Sequence, residues 1–163
     1  MTRGDNVKNP GKAFEEDFKN SIPEDILYIR LKDGGGWSNG TNTRFTVKNE
    51  CDAILFREPY LYMLEFKSHK GKSLPLSCIS YHQLKSLNSM NKYKFVAAGF
   101  VINFRDLEET YFIHTDYIYQ FAQEMERKSI PYDFVRDRGY RVQQRKKKVR
   151  YAYDVEQMLI DVI

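Results

Sequence analysis

Apolar residues recur along this chain of 163 residues at helical spacing in some segments and at strand spacing in others. Phe14, Phe18 and Ile22 follow one another every four residues, which predicts a first helix over 11–22. Further helices are predicted over about 80–90, from Thr115 or Asp116 to about Arg127, and over 154–163. Strands are predicted over 25–31, 44–47, 51–67 as a two-stranded hairpin, 94–104 and 110–114. Because helices alternate with strands around one hairpin, the pattern favours a single α/β layer fold.

Two of the predicted helices have a clear apolar face. In the first helix Glu15 borders the apolar stripe and can reach inward, whereas Glu16 faces water. In the last helix the apolar face consists of Val155, Leu159, Val162 and Ile163. Thr115 or Asp116 is expected to cap the helix that begins there through its side-chain oxygen.

The composition is that of an ordinary globular protein, with 42% hydrophobic and 29% charged residues. The length suits one domain over 1–163, with a Gly-rich loop or short stalk at about 33–46. Aromatic residues make up 15% of the chain, which predicts a core rich in rings. The apolar run 95–104 is too short to span a bilayer and the N-terminus lacks an apolar signal core, so a cytoplasmic protein without membrane contact is expected. Cys51 and Cys78 lack metal-site spacing and are expected to be reduced thiols.

The predicted hairpin over 51–67 contains charged residues within apolar strands. If its turn centres on the peptide bond before Pro59, Asp52 pairs with Glu65, and paired residues lie on one face of the sheet. Lys67 shares that face because side chains alternate along a strand. Burial of an unpaired carboxylate is costly, so this convergence indicates either a structural ion pair or a functional site.

A magnesium ion between the two carboxylates would relieve their repulsion, because Mg²⁺ takes one or two protein carboxylates and keeps waters at its other positions. Such an ion stabilises charge on a phosphoryl oxygen and lowers the pKa of an attacking water. Lys67 could orient that water or neutralise the transition state, and Glu15 could supply a third carboxylate. Gln83 is the polar member of the apolar stripe on the second helix. Its amide could bind a carboxylate, a water or a DNA phosphate, or it could be a satisfied core side chain.

The net charge of +4 is unevenly distributed along the chain. Segment 136–150 holds eight basic residues and one acid, a net charge of +7, so the rest of the chain carries −3. Such a run is usually a solvated surface. Tyr140 and Tyr151 flank this one and an apolar helix follows it, which favours a patch within the fold that faces phosphates.

Asp52 followed by Glu65, Phe66 and Lys67 resembles the active-site signature of the PD-(D/E)xK nuclease superfamily. Further segments resemble the RecU-type Holliday-junction resolvases. They are G-K-x-F-E-E at 11–16, E-F-K-S-H-K-G-K-S-L-P-L at 65–76, Y-H-Q at 81–83 and R-K-S-I at 127–130. The resemblance covers nearly the whole chain, and its middle part, 65–83, is the most specific. It implies a restriction-endonuclease-like α/β core, in which helices flank a central mixed β-sheet.

The resemblance also implies an activity. Family members are homodimeric, Mg²⁺-dependent endodeoxyribonucleases that resolve four-way (Holliday) junctions by paired symmetric incisions during recombination and repair, and Mn²⁺ is expected to substitute for Mg²⁺. The implied metal ligands are Asp52, Glu65 and Phe66, the residue between Glu65 and Lys67. The implied catalytic residues are Glu15, Asp52, Glu65, Lys67 and Gln83, with Lys67 as the catalytic lysine.

DNA and a second copy of the chain are the expected partners, with recombination proteins as further candidates. Phosphate contacts are expected from the basic run and from cations elsewhere in the chain. These residues are Arg30, Lys32, Arg44, Lys70, Lys72, Lys146, Lys147 and Lys148. The aromatic segment 111–121 and the last helix are expected to form a twofold interface. The Gly-rich arm over 34–43, with Trp37 inside it, is expected near the twofold axis.

The chain departs from the family pattern in two places. Its N-terminal arm is much shorter, and the segment before Asp52, a projecting stalk in cellular members, is Gly-rich and compact here. The mode of junction engagement therefore stays open, and the compact form indicates a phage-type member. Two alternatives remain, namely a nuclease of the same fold that acts on other branched or duplex DNA, and a non-catalytic DNA-binding recombination partner. Retention of Asp52, Glu65 and Lys67 argues against the second alternative.

Overall fold

The computed structural model describes residues 9–32 and 48–163, together with the main chain of two short strands. Those strands are Trp37–Ser38 and Arg44–Phe45, which pair with each other in an antiparallel arrangement. The expectations for the Gly-rich arm, for the Trp37 side chain within it and for phosphate contact by Arg44 concern parts of the chain outside the described residues.

Five α-helices and twelve strands follow one another along this part of the chain. The helices are α1 (Pro10–Lys19), α2 (Tyr81–Met90), α3 (Thr115–Glu124), α4 (Tyr132–Arg138) and α5 (Val155–Asp161). The strands are β1 (Leu27–Arg30), β2 (Trp37–Ser38), β3 (Arg44–Phe45), β4 (Ala53–Arg57), β5 (Tyr60–His69), β6 (Ser73–Pro75), β7 (Val96–Phe104), β8 (Glu109–His114), β9 (Ser129–Pro131), β10 (Tyr140–Val142), β11 (Gln144–Lys146) and β12 (Tyr151–Tyr153).

A six-stranded mixed sheet in the order β1-β4-β5-β7-β8-β10 forms the centre of the fold. Its neighbouring strands are antiparallel except for β5 and β7, which run parallel over nine residue pairs. The crossover between these parallel strands contains α2, as a parallel connection requires. The predicted class, a central mixed sheet flanked by helices, is confirmed.

The predicted register of the β4–β5 hairpin is confirmed. Ala53 lies opposite Leu64 and Arg57 lies opposite Tyr60, so the turn centres on the bond before Pro59 as expected. Extension of this register by one residue places Asp52 opposite Glu65. The hairpin therefore presents both carboxylates on the same face of the sheet.

The two faces of the sheet have separate cores. On one face α1, α5 and β12 cover a ring-rich cluster, in which Phe18 and Phe66 pack edge to face with centroids 4.9 Å apart. On the other face α2, α3 and α4 cover a second cluster that includes Met63, Phe100 and Ile102. Since side chains alternate along β5, Glu65 and Lys67 point towards the second face while Phe66 packs in the first core.

Several sequence-based expectations are wrong in detail. His114 rather than Thr115 or Asp116 occupies the cap position of α3, and no side-chain hydrogen bond caps this helix. Thr115 is instead buried inside the first turn. Ile163 does not join the apolar face of α5, because its side chain is 57% exposed. Helix α4 and the strands from β9 to β12 were not predicted.

The aromatic segment 111–121 belongs mainly to the core rather than to an outer surface. Its large apolar side chains are buried except for Tyr117, which is exposed, and Tyr119, which is half-buried. The segment therefore offers little area for the predicted twofold interface. No helix within 9–32 or 48–163 is long and apolar enough to cross a membrane. The two cysteines are free thiols, as expected, with Cys51 buried and Cys78 exposed.

Candidate active site

Asp52 precedes β4 and faces the strand that carries Glu65 and Lys67. Its Oδ2 atom accepts a hydrogen bond of 2.8 Å from the main-chain N–H of Phe66. Its own N–H donates to the carbonyl of Leu64 at 3.0 Å, which continues the hairpin ladder. These two hydrogen bonds join the residue that precedes β4 to the middle of β5, and they hold the Asp52 carboxylate beside Glu65.

Glu65 is the most deeply buried acid of the site, with only 2% of its surface exposed. Its Oε1 atom lies 2.8 Å from Nζ of Lys67, and its Oε2 atom accepts a hydrogen bond of 3.2 Å from Nε2 of Gln83. Gln83 comes from the first turn of α2, so that helix fixes the orientation of the carboxylate. The structure thereby brings together four of the predicted site residues.

The pKa of Glu65 is raised to about 7, mainly by burial and secondly by the nearby charge of Asp52, while Lys67 opposes both effects. A carboxylate that is only partly compensated by its lysine gains from an additional cation. The same surroundings act on Cys51, whose thiol pKa is raised to about 12 by burial and then by Glu65 and Asp52. Cys51 is therefore a protonated, inert thiol beside the site.

Glu15 reaches the site from the inner flank of α1, as its position on the helix predicted. Its Oε2 atom lies 2.7 Å from Nη2 of Arg30, and burial raises its pKa. Arg30 also contacts Asp52, with Nη1 at 3.5 Å from Oδ1 and at 3.2 Å from the main-chain carbonyl. Arg30 was predicted only as a phosphate contact. In the structure it joins the helix carboxylate to the hairpin carboxylate.

Phe66 can contribute to a metal site only through its backbone, because its ring packs against Phe14 and Phe18 in the opposite core. Its N–H points towards Asp52, and the C=O of a strand residue points to the same side as its N–H. The Phe66 carbonyl therefore faces the side of β5 on which Asp52 lies.

The donors present match a cation that needs few protein ligands. No group of three or more His, Cys, Asp or Glu side chains within the described residues is arranged to hold a metal ion. Asp52, Glu65 and the Phe66 carbonyl remain as an all-oxygen set, while Glu15 is engaged by Arg30. Mg²⁺ prefers oxygen donors, takes one or two carboxylates and retains its waters, so these residues fit that ion.

The predicted phosphate contacts lie in different surroundings. Lys32, Lys70 and Lys72 are exposed. Within the basic run Lys147 and Lys148 are exposed, whereas Lys146 lies 2.9 Å from Oε1 of Glu108. Other cations of the run contact acids as well, namely Arg136, Arg141 and Arg150. Four of its eight cations are therefore paired locally, while Arg138, Arg145, Lys147 and Lys148 are exposed.

A groove beside the site was not predicted. It has a volume of about 320 Å³ and lies between α1 and β1. Four cations line it, namely Lys12, Lys19, Arg30 and Lys32, together with the two acids Glu15 and Glu16 and with Tyr28. Lys12 and Lys19 stand three residues before and four residues after Glu15, so all three share one side of the helix. The spacing of these three residues is visible in the sequence and could have predicted the groove. The groove gives the site a positively charged approach.

Comparisons with known proteins concern the family and fold of the chain. Residues 18–157 match the model of the family Recombination protein U (RecU), a range that includes Asp52, Glu65, Lys67 and Gln83 but begins after Glu15. The chain is 29% identical over 173 residues to the SPbeta prophage-derived uncharacterized protein YotM of Bacillus subtilis (strain 168), with 96% of this chain and 88% of that protein covered. This relative is in line with the expected phage-type member.

Among solved structures, the chain resembles Hjc, a Holliday junction resolvase from Archaeoglobus fulgidus, with a TM-score of 0.47 and 16% sequence identity. The match covers 72% of this chain and 83% of that one. The family match extends over most of the described chain and includes both strands of the hairpin. The chain therefore belongs to the Recombination protein U family.

Proposed function

We propose that this protein is an Mg²⁺-dependent, structure-selective endodeoxyribonuclease that resolves four-way DNA junctions by paired symmetric incisions during recombination and repair. One observation carries the proposal. Glu65, a buried carboxylate with a raised pKa, lies between Lys67 and Gln83 and beside Asp52, in a member of the RecU family. A purely structural site would have little reason to bury a second acid beside the first.

Asp52, Glu65 and the Phe66 carbonyl would hold the metal ion. When bound, Mg²⁺ supplies charge stabilisation on phosphoryl oxygens and acidifies a water. Lys67 contributes an ammonium group that is partly exposed, so it can donate to a phosphate oxygen or orient a water molecule. Gln83 keeps the Glu65 carboxylate in one orientation through its amide. Glu15 lies close enough to Asp52 and Lys67 for their charges to act on its own pKa, which Asp52 raises and Lys67 lowers.

Arg30 has a positioning role in this proposal. Its guanidinium contacts both Glu15 and Asp52, and it lies at the wall of the basic groove that leads to the site. A phosphate in this groove would lie among Lys12, Lys19 and Lys32. Backbone contacts of this kind position DNA without reading its sequence. Selection of a branched substrate then rests on its shape and deformability.

Paired incisions require two copies of the site. We assign the second site to a second copy of the chain, since twofold homodimers are the commonest assembly. The sheet face beside β1 and β4 supports this assignment, because α2, α3 and α4 leave it uncovered. Leu27, Ile29 and Phe56 are exposed there, and Leu27 lies directly opposite Phe56 in the strand pairing. Apolar side chains concentrated on an uncovered sheet face are typical of an interface.

The proposal is tested by incubation of the protein with Mg²⁺ and either a four-way junction or a linear duplex of the same sequence. The expected result is cleavage of the junction at symmetrically related positions on two strands, with the duplex left intact and with no cleavage by Asp52→Asn. Cleavage of flaps or duplex with equal efficiency would favour a same-fold nuclease of another specificity. Binding without cleavage of any substrate would favour a non-catalytic recombination partner.

A further inference from the structure

A second cavity lies behind the candidate active site, on the opposite face of the sheet. Its volume is about 510 Å³, within the usual range for small-ligand pockets. Phe14, Tyr151 and Tyr153 supply three aromatic rings to its wall, and Ala13 and Arg105 also line it. The proposed chemistry at Asp52 and Glu65 makes no use of this cavity.

The cavity is held in shape by contacts between α1 and β12. Asp17 is buried in α1, accepts a hydrogen bond of 3.0 Å from the N–H of Tyr151, and contacts Arg150. The hydroxyl of Ser21 accepts a hydrogen bond of 3.0 Å from the N–H of Tyr153. The rings of Phe14 and Tyr153 stand edge to face, with centroids 5.6 Å apart. The aromatic wall is thus preformed rather than assembled on binding.

A polar group lies in this aromatic wall. Asn103 is a buried residue of β7 that also lines the cavity. Its amide accepts a hydrogen bond of 3.2 Å from Ser68 and donates one of 3.0 Å to Thr110, which in turn donates to Gln144 at 2.6 Å. These neighbours fix the orientation of the amide. The remaining N–H and oxygen lone pair of Asn103 could each bond to a ligand.

The cavity and the candidate active site share two structural elements, α1 and β5. Phe14 is the residue before Glu15, and its ring packs against Phe66 at 5.7 Å between centroids. Ser68, the partner of Asn103, is the residue after Lys67. Strand β5 and helix α1 therefore form a shared wall, with acids on one side and aromatic rings on the other. The cavity therefore lies beside the elements that carry the site, on the other face of the sheet.

From these contacts we infer that the cavity receives one unstacked nucleobase of the branched DNA. The inference rests on the proposed function, because it takes the DNA substrate from there. Phe14 and Tyr153 are almost fully buried, whereas the ring of Tyr151 is half-buried and offers an aromatic surface to a base, since every base has a π-face. Arg105 adds a positive charge suited to the attached phosphate, and the fixed amide of Asn103 can bond to a base edge. Bases near a branch point are the ones that unstack at least cost.

The experiment measures binding rather than cleavage, with Ca²⁺ in place of Mg²⁺. Four-way junctions are prepared in which single nucleotides around the branch point are replaced, one at a time, by abasic sites. The native protein is expected to lose about 5- to 100-fold in affinity when one particular base and its symmetry mate are absent. Ala13→Leu, which fills the cavity, is expected to bind the intact junction with this reduced affinity. Its affinity should not fall further when the base is absent.

Two variants serve as comparisons. Ala122→Leu makes the same change on α3, on the other face of the sheet, and is expected to behave like the native protein. If Ala13→Leu does not fold, Tyr151→Ala tests the same wall, with the exposed Tyr140→Ala as its control.

Equal affinity of the native protein for all abasic junctions would overturn the inference. It would also be overturned if Ala13→Leu kept the position-specific loss of affinity. A native protein that binds in the expected manner but never cleaves DNA would refute the proposed nuclease and leave the base pocket supported. Lack of binding to any branched DNA would refute both.

Discussion

Asp52 accepts a hydrogen bond of 2.8 Å from the main-chain N–H of Phe66, the residue that separates Glu65 from Lys67. This contact joins the beginning of β4 to the middle of β5. It fixes one carboxylate relative to the other through the backbone rather than through flexible side chains. The site is consequently as rigid as the central sheet, and substitutions in it should change chemistry more than structure.

The first prediction concerns this pair of acids. Asp52→Asn or Glu65→Gln is expected to lower junction cleavage at least about 100-fold, because each removes a metal ligand. DNA affinity should be nearly unchanged, since phosphate contacts come from other residues. Cleavage assays and fluorescence anisotropy with the same junction measure the two effects. Glu58→Gln, at the exposed far end of the same hairpin, is the matched control. Substantial cleavage by either site variant would contradict the two-carboxylate site.

The second prediction concerns pH and stability without metal. The pKa of Glu65 is raised from 4.5 to about 7, chiefly by burial. Between these values the folded protein retains a proton that the unfolded chain has released, so the free energy of unfolding falls as pH rises through this window. Above pH 7 the raised pKa lowers the free energy of unfolding by up to about 3 kcal/mol.

Glu65→Gln removes this cost. In EDTA, urea denaturation is expected to show the variant more stable than the native protein at pH 8, with the difference shrinking towards pH 4.5. The same difference in unfolding free energy at both pH values would mean that Glu65 does not titrate in this range. Glu58→Gln should show no such pH-dependent gain.

Metal ions provide a third test. Mg²⁺ and Mn²⁺ are expected to raise the melting temperature of the native protein, because a ligand present at 100 times its Kd stabilises the folded state by about 2.7 kcal/mol. Thermal unfolding of Asp52→Asn should respond much less. EDTA should abolish cleavage, and Ca²⁺ should support binding with little cutting because its coordination is looser. An equal rise in melting temperature for Asp52→Asn would place the metal elsewhere.

Salt dependence tests the basic run. Each phosphate contact contributes about −0.9 to the slope of log K against log salt. Combined replacement of Lys147 and Lys148 by alanine should flatten the slope by up to about 2, whereas Lys146→Ala should change it less because Lys146 is paired with Glu108. Lys94→Ala, in the α2–β7 connection, is the control. An unchanged slope in the double variant would mean that this turn faces away from DNA.

The twofold assembly gives the last prediction. Leu27→Lys is expected to weaken the homodimer, because a charge would be buried among apolar side chains at the uncovered sheet face. Ile163→Lys alters an equally exposed residue at the end of the chain, beyond α5, and should leave the dimer intact. Analytical ultracentrifugation at micromolar concentration distinguishes the two. A monomeric native protein, both alone and with junction DNA, would contradict paired incision by two copies.

Periodic patterns explain which parts of the fold could be predicted. The four-residue spacing of Phe14 and Phe18 defined α1, and the symmetry of the hairpin about the bond before Pro59 gave its register. Strands β9 to β12 have three residues each, too few for alternation to be recognised. Helix α4 buries only Val135, so it has almost no apolar stripe.

The candidate site was predicted to the extent that it depends on strand alternation. Asp52, Glu65 and Lys67 converge because register and period alone determine their face. The bridging role of Arg30 could not be predicted, because it depends on where a long side chain of an edge strand points. The contact between Asp17 and Arg150 could not be predicted either, since 133 positions separate these residues in the sequence.

That contact has a consequence for the order in which the molecule is made. During synthesis α1 leaves the ribosome long before Arg150 and Tyr151, the residues that satisfy the buried carboxylate of Asp17. Closure of so long a loop is entropically costly, and until it occurs α1 has an acid without its donors. Glu15 lies on the same helix, so its final placement also waits for the β12 segment. A nascent chain, or one truncated before this segment, would thus hold an incomplete site, and full competence would arise only after Arg150 and Tyr151 have been made.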